Sequence, residues 1–325
     1  MDAGRLRGNA DRRDASGRDA AHPSEFPKRA WWRILKRVWS ETNDDRAMLI
    51  AAGVTFYLLL ALFPALAAFV SLYGFVADPR TIAEHVAYLG GMLPSGGLDI
   101  IRSQLDALAS QDRDALSVGF LIGLAVALWS ANSGMKALFD AINIAYGETE
   151  KRSIIMLNLW SGLFTLGAIL VGIVLLMSVG VVPAMLALLY LDRWQEVIVS
   201  LARWPITLAF VWIGITLLYR FGPSRERAKW RWLTWGATLA TVVWLAVSAG
   251  FSYYLQNFAD YNATYGSLGA VIGFMIWVWL SITILIVGAE LNAEMEHQTA
   301  VDSTTGPPQP LGERGARMAD TVAAS

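Results

Sequence analysis

Six long apolar runs, separated by polar gaps, dominate the pattern along the chain. The first runs from about Ala47 to Ala77 and holds Pro64 near its middle. The second starts at Ala115 and stays apolar to about Trp129, and the third reaches from Ile154 to Val182, just before Pro183. The fourth lies between about Trp204 and Tyr219, the fifth between about Trp232 and Leu255, and the sixth between about Ser267 and Leu291. A helix needs about 20 apolar residues to cross a bilayer, and these runs are continuously apolar rather than alternating, which excludes the strands of an outer-membrane barrel. The pattern predicts an all-α, polytopic membrane protein with six transmembrane helices. The short apolar run 184–191 reads as an interfacial segment or a continuation of the third helix.

Two further helices are predicted outside the spans. In Trp31-Trp32-Arg33-Ile34-Leu35-Lys36-Arg37-Val38-Trp39 the apolar residues fill one arc of about 160° at the helical period, with Arg33, Lys36 and Arg37 on the other side. This amphipathic N-terminal helix either lies on the cytoplasmic membrane surface, its bases near anionic lipid, or packs on the bundle by the same apolar face. In the long gap 78–114, Leu98, Ile101, Leu105 and Leu108 recur at helical spacing after the breakers Gly90-Gly91 and Pro94. They predict a short extracytoplasmic helix that caps the outer face or shapes a substrate entrance. Three regions follow: a cytoplasmic tail with the surface helix (1–45), the six-helix membrane domain (46–298), and a Gly/Pro/Ser/Thr-rich tail (299–325) that reads as disordered, as do residues 1–25.

Composition agrees with this picture. The 325 residues are 55% hydrophobic and 16% charged, where a soluble domain carries about 25% charged residues. With no cysteine, disulfides and thiolate chemistry are excluded. The net charge of −1 argues against a nucleic-acid partner and hides a strong asymmetry. With six spans and the N-terminus inside, 21 Lys and Arg fall on the cytoplasmic side and five outside. The positive-inside rule therefore predicts an inner-membrane protein with both termini cytoplasmic.

Few residues in the spans can do chemistry, and an ionisable group there is a functional candidate by default. Asn132, Lys136, Asp140 and Asn143 share one helix face after the second run. They form the wall of a polar cavity or a solvated face with Lys136 and Asp140 paired. Glu290 directly follows a charge-free stretch and shares a face with Glu294 and His297. It reads as a buried acid that binds a proton, a cation or a basic partner such as Lys136, or as an ordinary helix exit. Pro64 should kink the first helix, as a hinge or a fixed bend. Gly119/Gly123 and Gly269/Gly273 form Gly-x-x-x-Gly pairs that suit helix packing or dimerisation. The three histidines lie far apart, and no metal-ligand spacing, phosphate loop or nucleophile elbow is present. The reading is therefore of a protein that is not an enzyme and needs no cofactor.

Several segments together resemble the YihY/virulence-factor BrkB family of bacterial inner-membrane proteins. They are Ala-Gly-Val-Thr-Phe-Tyr-Leu-Leu-Leu-Ala-Leu-Phe-Pro (52–64), Leu-Trp-Ser-Ala-Asn (128–132), Ala-Ile-Asn-Ile-Ala-Tyr (141–146), Tyr-Arg-Phe-Gly-Pro (219–223), Tyr-Asn-Ala-Thr-Tyr-Gly-Ser-Leu-Gly-Ala (261–270) and Gly-Ala-Glu-Leu-Asn-Ala-Glu (288–294). The resemblance covers about residues 30–298 and implies six spans with cytoplasmic ends. Its motif residues include Tyr57, Pro64, Asn132, Asn143, Tyr265, Gly266 and Glu290. It implies a transport or lipid-handling role, with membrane lipids as partners and a lipid or small envelope-related solute as substrate. A non-catalytic scaffold for envelope assembly is the alternative. A ribonuclease label once attached to the family is regarded as a misassignment, and nothing in these residues supports it.

Overall fold

The computed structural model describes residues 16–76, 113–178, 193–257 and 268–323. They are helical nearly throughout. Helix α1 spans Lys28–Asp44, and six long helices follow: α2 (Ala47–Val76), α3 (Arg113–Ala145), α4 (Ile154–Leu176), α5 (Arg193–Phe221), α6 (Trp230–Asn257) and α7 (Gly269–Gln298). Each of the six contains a stretch long and apolar enough to cross a membrane, from Ala47–Ala65 in α2 to Val271–Gln298 in α7. Only 11% of the Ile154–Leu175 stretch is buried by protein. Leu159, Leu163, Leu166 and Leu170 stand outward, a surface that needs hydrocarbon rather than water around it.

The predicted outer helix of 98–108, the run 184–191, Tyr265 and Gly266 lie outside the described residues. Three spans extend beyond their apolar runs. Helix α3 continues from the apolar run through the polar stripe to Ala145, α5 begins at Arg193, and α7 carries on to Gln298. Both Pro64 and Pro205 sit within unbroken helices. Hydrogen-bonded turns continue on either side of a proline that removes one donor.

The chain divides into two compact units. One comprises Met1–Ile50, Leu138–Trp244 and Thr283–Ser325; the other comprises Ala51–Ala137 and Leu245–Ile282. In the second unit Gly134 of α3 lies against α2, where a Cβ would stand 3.3 Å from the Tyr57 Cβ. Trp277 of α7 donates its indole N–H to Ser248 of α6 at 3.0 Å. At Gly273, the second member of the Gly269/Gly273 pair, a Cβ would meet Leu255 at 3.9 Å, an ordinary contact.

The first unit holds a core in which Ala30, Ile34 and Val38 of α1 meet Trp232 of α6 and Leu291 and Met295 of α7, with Ala20 and Phe26 beside them. Half of the apolar arc on α1 is thus spent on the bundle. Sequence signals fix the entrances to the helices. The Glu25 carboxylate accepts from the backbone N–H groups of Ala21 and His22 ahead of α1, and the Ser153 hydroxyl accepts from Met156 N–H at the start of α4. Between α1 and α2 the chain turns at Asp45-Arg46, with Arg46 in the left-handed region at φ 54°.

The chain ends correct the sequence reading. Residues 299–323, expected to be disordered, fold onto the connection between α5 and α6. Thr305 N–H donates to Arg227 C=O and Lys229 N–H to Ser303 C=O, both at 2.8 Å. Arg314 is buried, donating to the carbonyls of Ala319, Ala300 and Gln309. Asp302 accepts from the Thr304 hydroxyl and from the N–H groups of Thr304 and Gln309. Residues 16–25 are likewise ordered, with Thr299 donating to Ala20 C=O and Gln298 to Ser16 C=O. Polar side chains and backbone hold these segments together, and an apolar periodicity is not needed for that.

Candidate functional site

The site is built on the last three turns of α7. Glu290, Asn292, Glu294, Glu296 and Gln298 alternate with Leu291, Ala293, Met295 and His297 there, and every one of the five is buried. On a helix this period-two spacing places polar groups on two opposite faces. The helix end must therefore meet polar partners on both sides, and the first unit supplies them.

One face of α7 is bound to its neighbours through Asn292 and Glu296. Asn292 accepts from Gly236 N–H at 2.8 Å and donates to Leu233 C=O at 3.2 Å, reading the backbone of α6. The approach is close: a Cβ on Gly236 would stand 2.2 Å from the Gly288 carbonyl oxygen, and one on Gly288 would stand 2.3 Å from the Tyr219 hydroxyl. Tyr219 donates that hydroxyl to Leu285 C=O at 2.7 Å. One turn on, the Glu296 carboxylate accepts from Arg225 at 2.6 Å and from the Ser303 hydroxyl at 2.6 Å. The Arg225 guanidinium also lies over the Tyr146 ring, 4.6 Å from its centroid. Burial works against the Arg225 charge, but Glu296 outweighs it and holds the group above its ordinary range.

The other face carries Glu290, Glu294 and His297. Arg37 of α1 grips the Glu294 carboxylate through Nε and donates to Gln298 at 2.8 Å. The His297 Nδ1 stands 3.7 Å from the other Glu294 oxygen. Glu290 differs from both neighbours. Its side chain is completely buried, no base reaches it, and its nearest polar neighbour is another acid, Asp45, whose carboxyl is placed to share a proton with it. The charged groups that act on it most strongly are Asp45, Glu294 and Glu41, all acidic. The acids outside the span feel the same crowding. Burial raises Asp45 against a hydrogen bond with Glu290 that lowers it, Asp44 adding to the rise, and burial followed by Glu294 and Asp45 raises Glu41. An ionised carboxyl that is buried and unpaired is expensive. This position therefore favours a group that can take a proton or a cation.

The expected polar stripe on α3 does not form one site. Asn132 and Lys136 are half-buried in the second unit, as are Tyr57 and Pro64, and Asp140 is exposed. Asn143 alone is buried, and it fastens two connections together. It donates to Glu150 at 3.2 Å and accepts from Ser224 N–H at 2.7 Å. Beside it Arg152 pairs with Glu150 and donates to the Gly222 and Phe221 carbonyls that end α5. Burial would raise Glu150, but hydrogen bonds and charge from Arg152 bring it down to about 2. Residue types alone did not reveal Arg37, Asn292, Glu296 or Arg225 as partners. The usable signal was the alternating polar run 290–298. Among the described residues no group of three His, Asp or Glu side chains is placed to hold a metal ion.

Six helices long and apolar enough to cross a membrane define a multi-pass α-helical membrane protein. The family model "Virulence factor BrkB" matches residues 38–312, and the chain belongs to that family. A ribonuclease-like protein, YfkH, of Bacillus subtilis (strain 168) is 30% identical over 270 residues, covering 80% of this chain and 94% of its own length. The UPF0761 membrane protein IL2447 of Idiomarina loihiensis is 24% identical over 268 residues, covering 81% and 90%. The UPF0761 membrane protein Smlt0865 of Stenotrophomonas maltophilia (strain K279a) is 29% identical over 280 residues; the match spans 86% of this chain and 62% of that longer protein. No solved structure matches the chain.

Proposed function

We propose that this protein moves a lipid or a small envelope-related solute across the inner membrane, with Glu290 as an acid of the pathway. The observation that carries the reading is the Glu290 carboxyl, buried with no base beside it and with Asp45, Glu294 and Glu41 as its charged neighbours. Intramembrane ionisable groups mark substrate and ion routes, and Glu290 is faced by acids where Glu294 and Glu296 are each held by an arginine. The charge asymmetry of 21 Lys and Arg against five supports an orientation with both termini cytoplasmic.

The folded segment 299–323 favours a second reading. Its buried Arg314 and Asp302 build a firm polar surface, as a scaffold for envelope assembly would need. The name of the Bacillus relative belongs to that protein, and the residues of the present chain give a nuclease reading no support.

Purified protein reconstituted into vesicles separates the readings. Transport predicts that a labelled phospholipid or solute crosses faster than in protein-free vesicles. Rates equal to the protein-free control for both classes, alongside stable partners recovered by crosslinking in cells, would favour the scaffold.

A further inference from the structure

Helix α1 spends only half of its apolar arc on the bundle. Ala30, Ile34 and Val38 are buried, whereas Trp32 is 73%, Leu35 48% and Trp39 72% exposed. The exposed three recur at spacings of three and four and form one stripe along the outer face. Three exposed bases accompany it. Lys28 lies within the stripe's arc, and Lys36 and Arg29 lie along one edge of it, from about 40° to 60° round the axis from Trp32 at about 100° per residue. No acidic residue lies between Lys28 and Ser40.

We propose that this outer face of α1 is a docking surface for anionic phospholipid headgroups, holding the helix in the plane of the membrane interface. Two observations choose a lipid surface over a protein. The stripe leads directly into a membrane span: only Asp45 and Arg46 separate α1 from α2, whose first turn exposes Leu49 and whose Ala47–Ala65 stretch is apolar enough to span. The residue types also fit an interface. Tryptophan places an apolar body in the acyl boundary and an N–H among headgroups, and lysine and arginine along the same face meet phosphates. The opposite face of α1 holds Arg37 on Glu294, so the helix is clamped between headgroups and the polar end of α7.

The absence of native cysteine makes the test direct. Single substitutions Trp32→Cys, Leu35→Cys and Trp39→Cys, with Ser40→Cys as a control about 100° round the helix from Trp39, carry a spin label on the full chain in lipid nanodiscs. Collision with oxygen, concentrated in the bilayer, is compared with collision with a water-soluble nickel chelate. The expected result is an oxygen-to-nickel ratio severalfold higher at 32, 35 and 39 than at 40. It should rise further when phosphatidylglycerol replaces half of the phosphatidylcholine, and that rise should vanish in Arg29→Gln/Lys36→Gln. Labels at 32 and 39 as open to nickel as the label at 40 would overturn the proposal. So would dipolar broadening between labels on separate chains, which would make a second copy the occupant. An unchanged ratio between the two lipid compositions would overturn the anionic component.

Discussion

At the residue scale, Glu290 is a carboxyl whose surroundings do nothing to stabilise its charge. Replacement by the isosteric amide removes the buried acid and keeps the shape, so Glu290→Gln should unfold at a temperature equal to or above wild type while losing transport. A fall of several degrees in thermal unfolding of the detergent-solubilised protein would make Glu290 structural. Gly236 behaves in the opposite way. A methyl group there meets the Gly288 carbonyl and Asn292 at 2.5 Å or less, backbone and a doubly bonded side chain that cannot yield. Gly236→Ala should cost about 1–3 kcal/mol of stability, read as a lower midpoint in the same measurement.

The pH dependence follows from the displaced carboxyls. Glu150 is held down at about 2 against an ordinary 4.5. Its contribution is present above about pH 4.5 and is lost as pH falls toward 2, because the unfolded chain takes the proton first. Glu41 and Asp45 are shifted upward, so the folded state takes the proton first and their effect has the opposite sign. Stability from them is greatest in acid and declines as pH rises through their folded values. Unfolding midpoints across pH should therefore show a weaker acid limb in Glu150→Gln. In Asp45→Asn, stability near neutrality should rise relative to wild type.

At the element scale, α7 and the segments around it are cross-braced by buried charge. Removing Arg225 leaves Glu296 buried with only the Ser303 hydroxyl, a loss of about 3–5 kcal/mol by the usual behaviour of broken buried pairs. Arg225→Met with Glu296→Leu should recover a large part of that loss, and failure to recover would show that Arg225 acts mainly through Tyr146. The end segment makes a second prediction. Arg314 is buried, so limited trypsin digestion of the folded protein should spare the bond after it. Rapid cleavage there would mean that 299–323 is unfolded in solution.

These elements also show what could be read from residues alone. The six spans were legible because a run of about 20 apolar residues has one economical solution in a bilayer. Glu290 was legible because it ends a charge-free run. The folded ends were not, because Asp302, Thr304 and Arg314 form specific polar contacts that leave no periodic trace, and a Gly/Pro/Ser/Thr composition resembles that of disordered chains. The Asn132–Asn143 stripe was legible as a helix face, but only the fold could show that Asn143 ties connections together while Asp140 stays exposed. The bases of 220–231 enter the sequence reading only through the count of Lys and Arg; in the structure Arg225 and Lys229 are bonded to Glu296 and to the Asp302 carbonyl.

At the scale of the whole molecule, the proposed transport by this multi-pass membrane protein of the BrkB family depends on one buried acid that no base neutralises. The most direct measurement is the initial rate at which a labelled phospholipid or solute crosses vesicles bearing wild type, Glu290→Gln or Glu290→Asp, each matched for folding by thermal midpoint. Transport through this site predicts a rate above protein-free vesicles for wild type, the background rate for Glu290→Gln and partial activity for Glu290→Asp. Equal rates for wild type and a well-folded Glu290→Gln would contradict it.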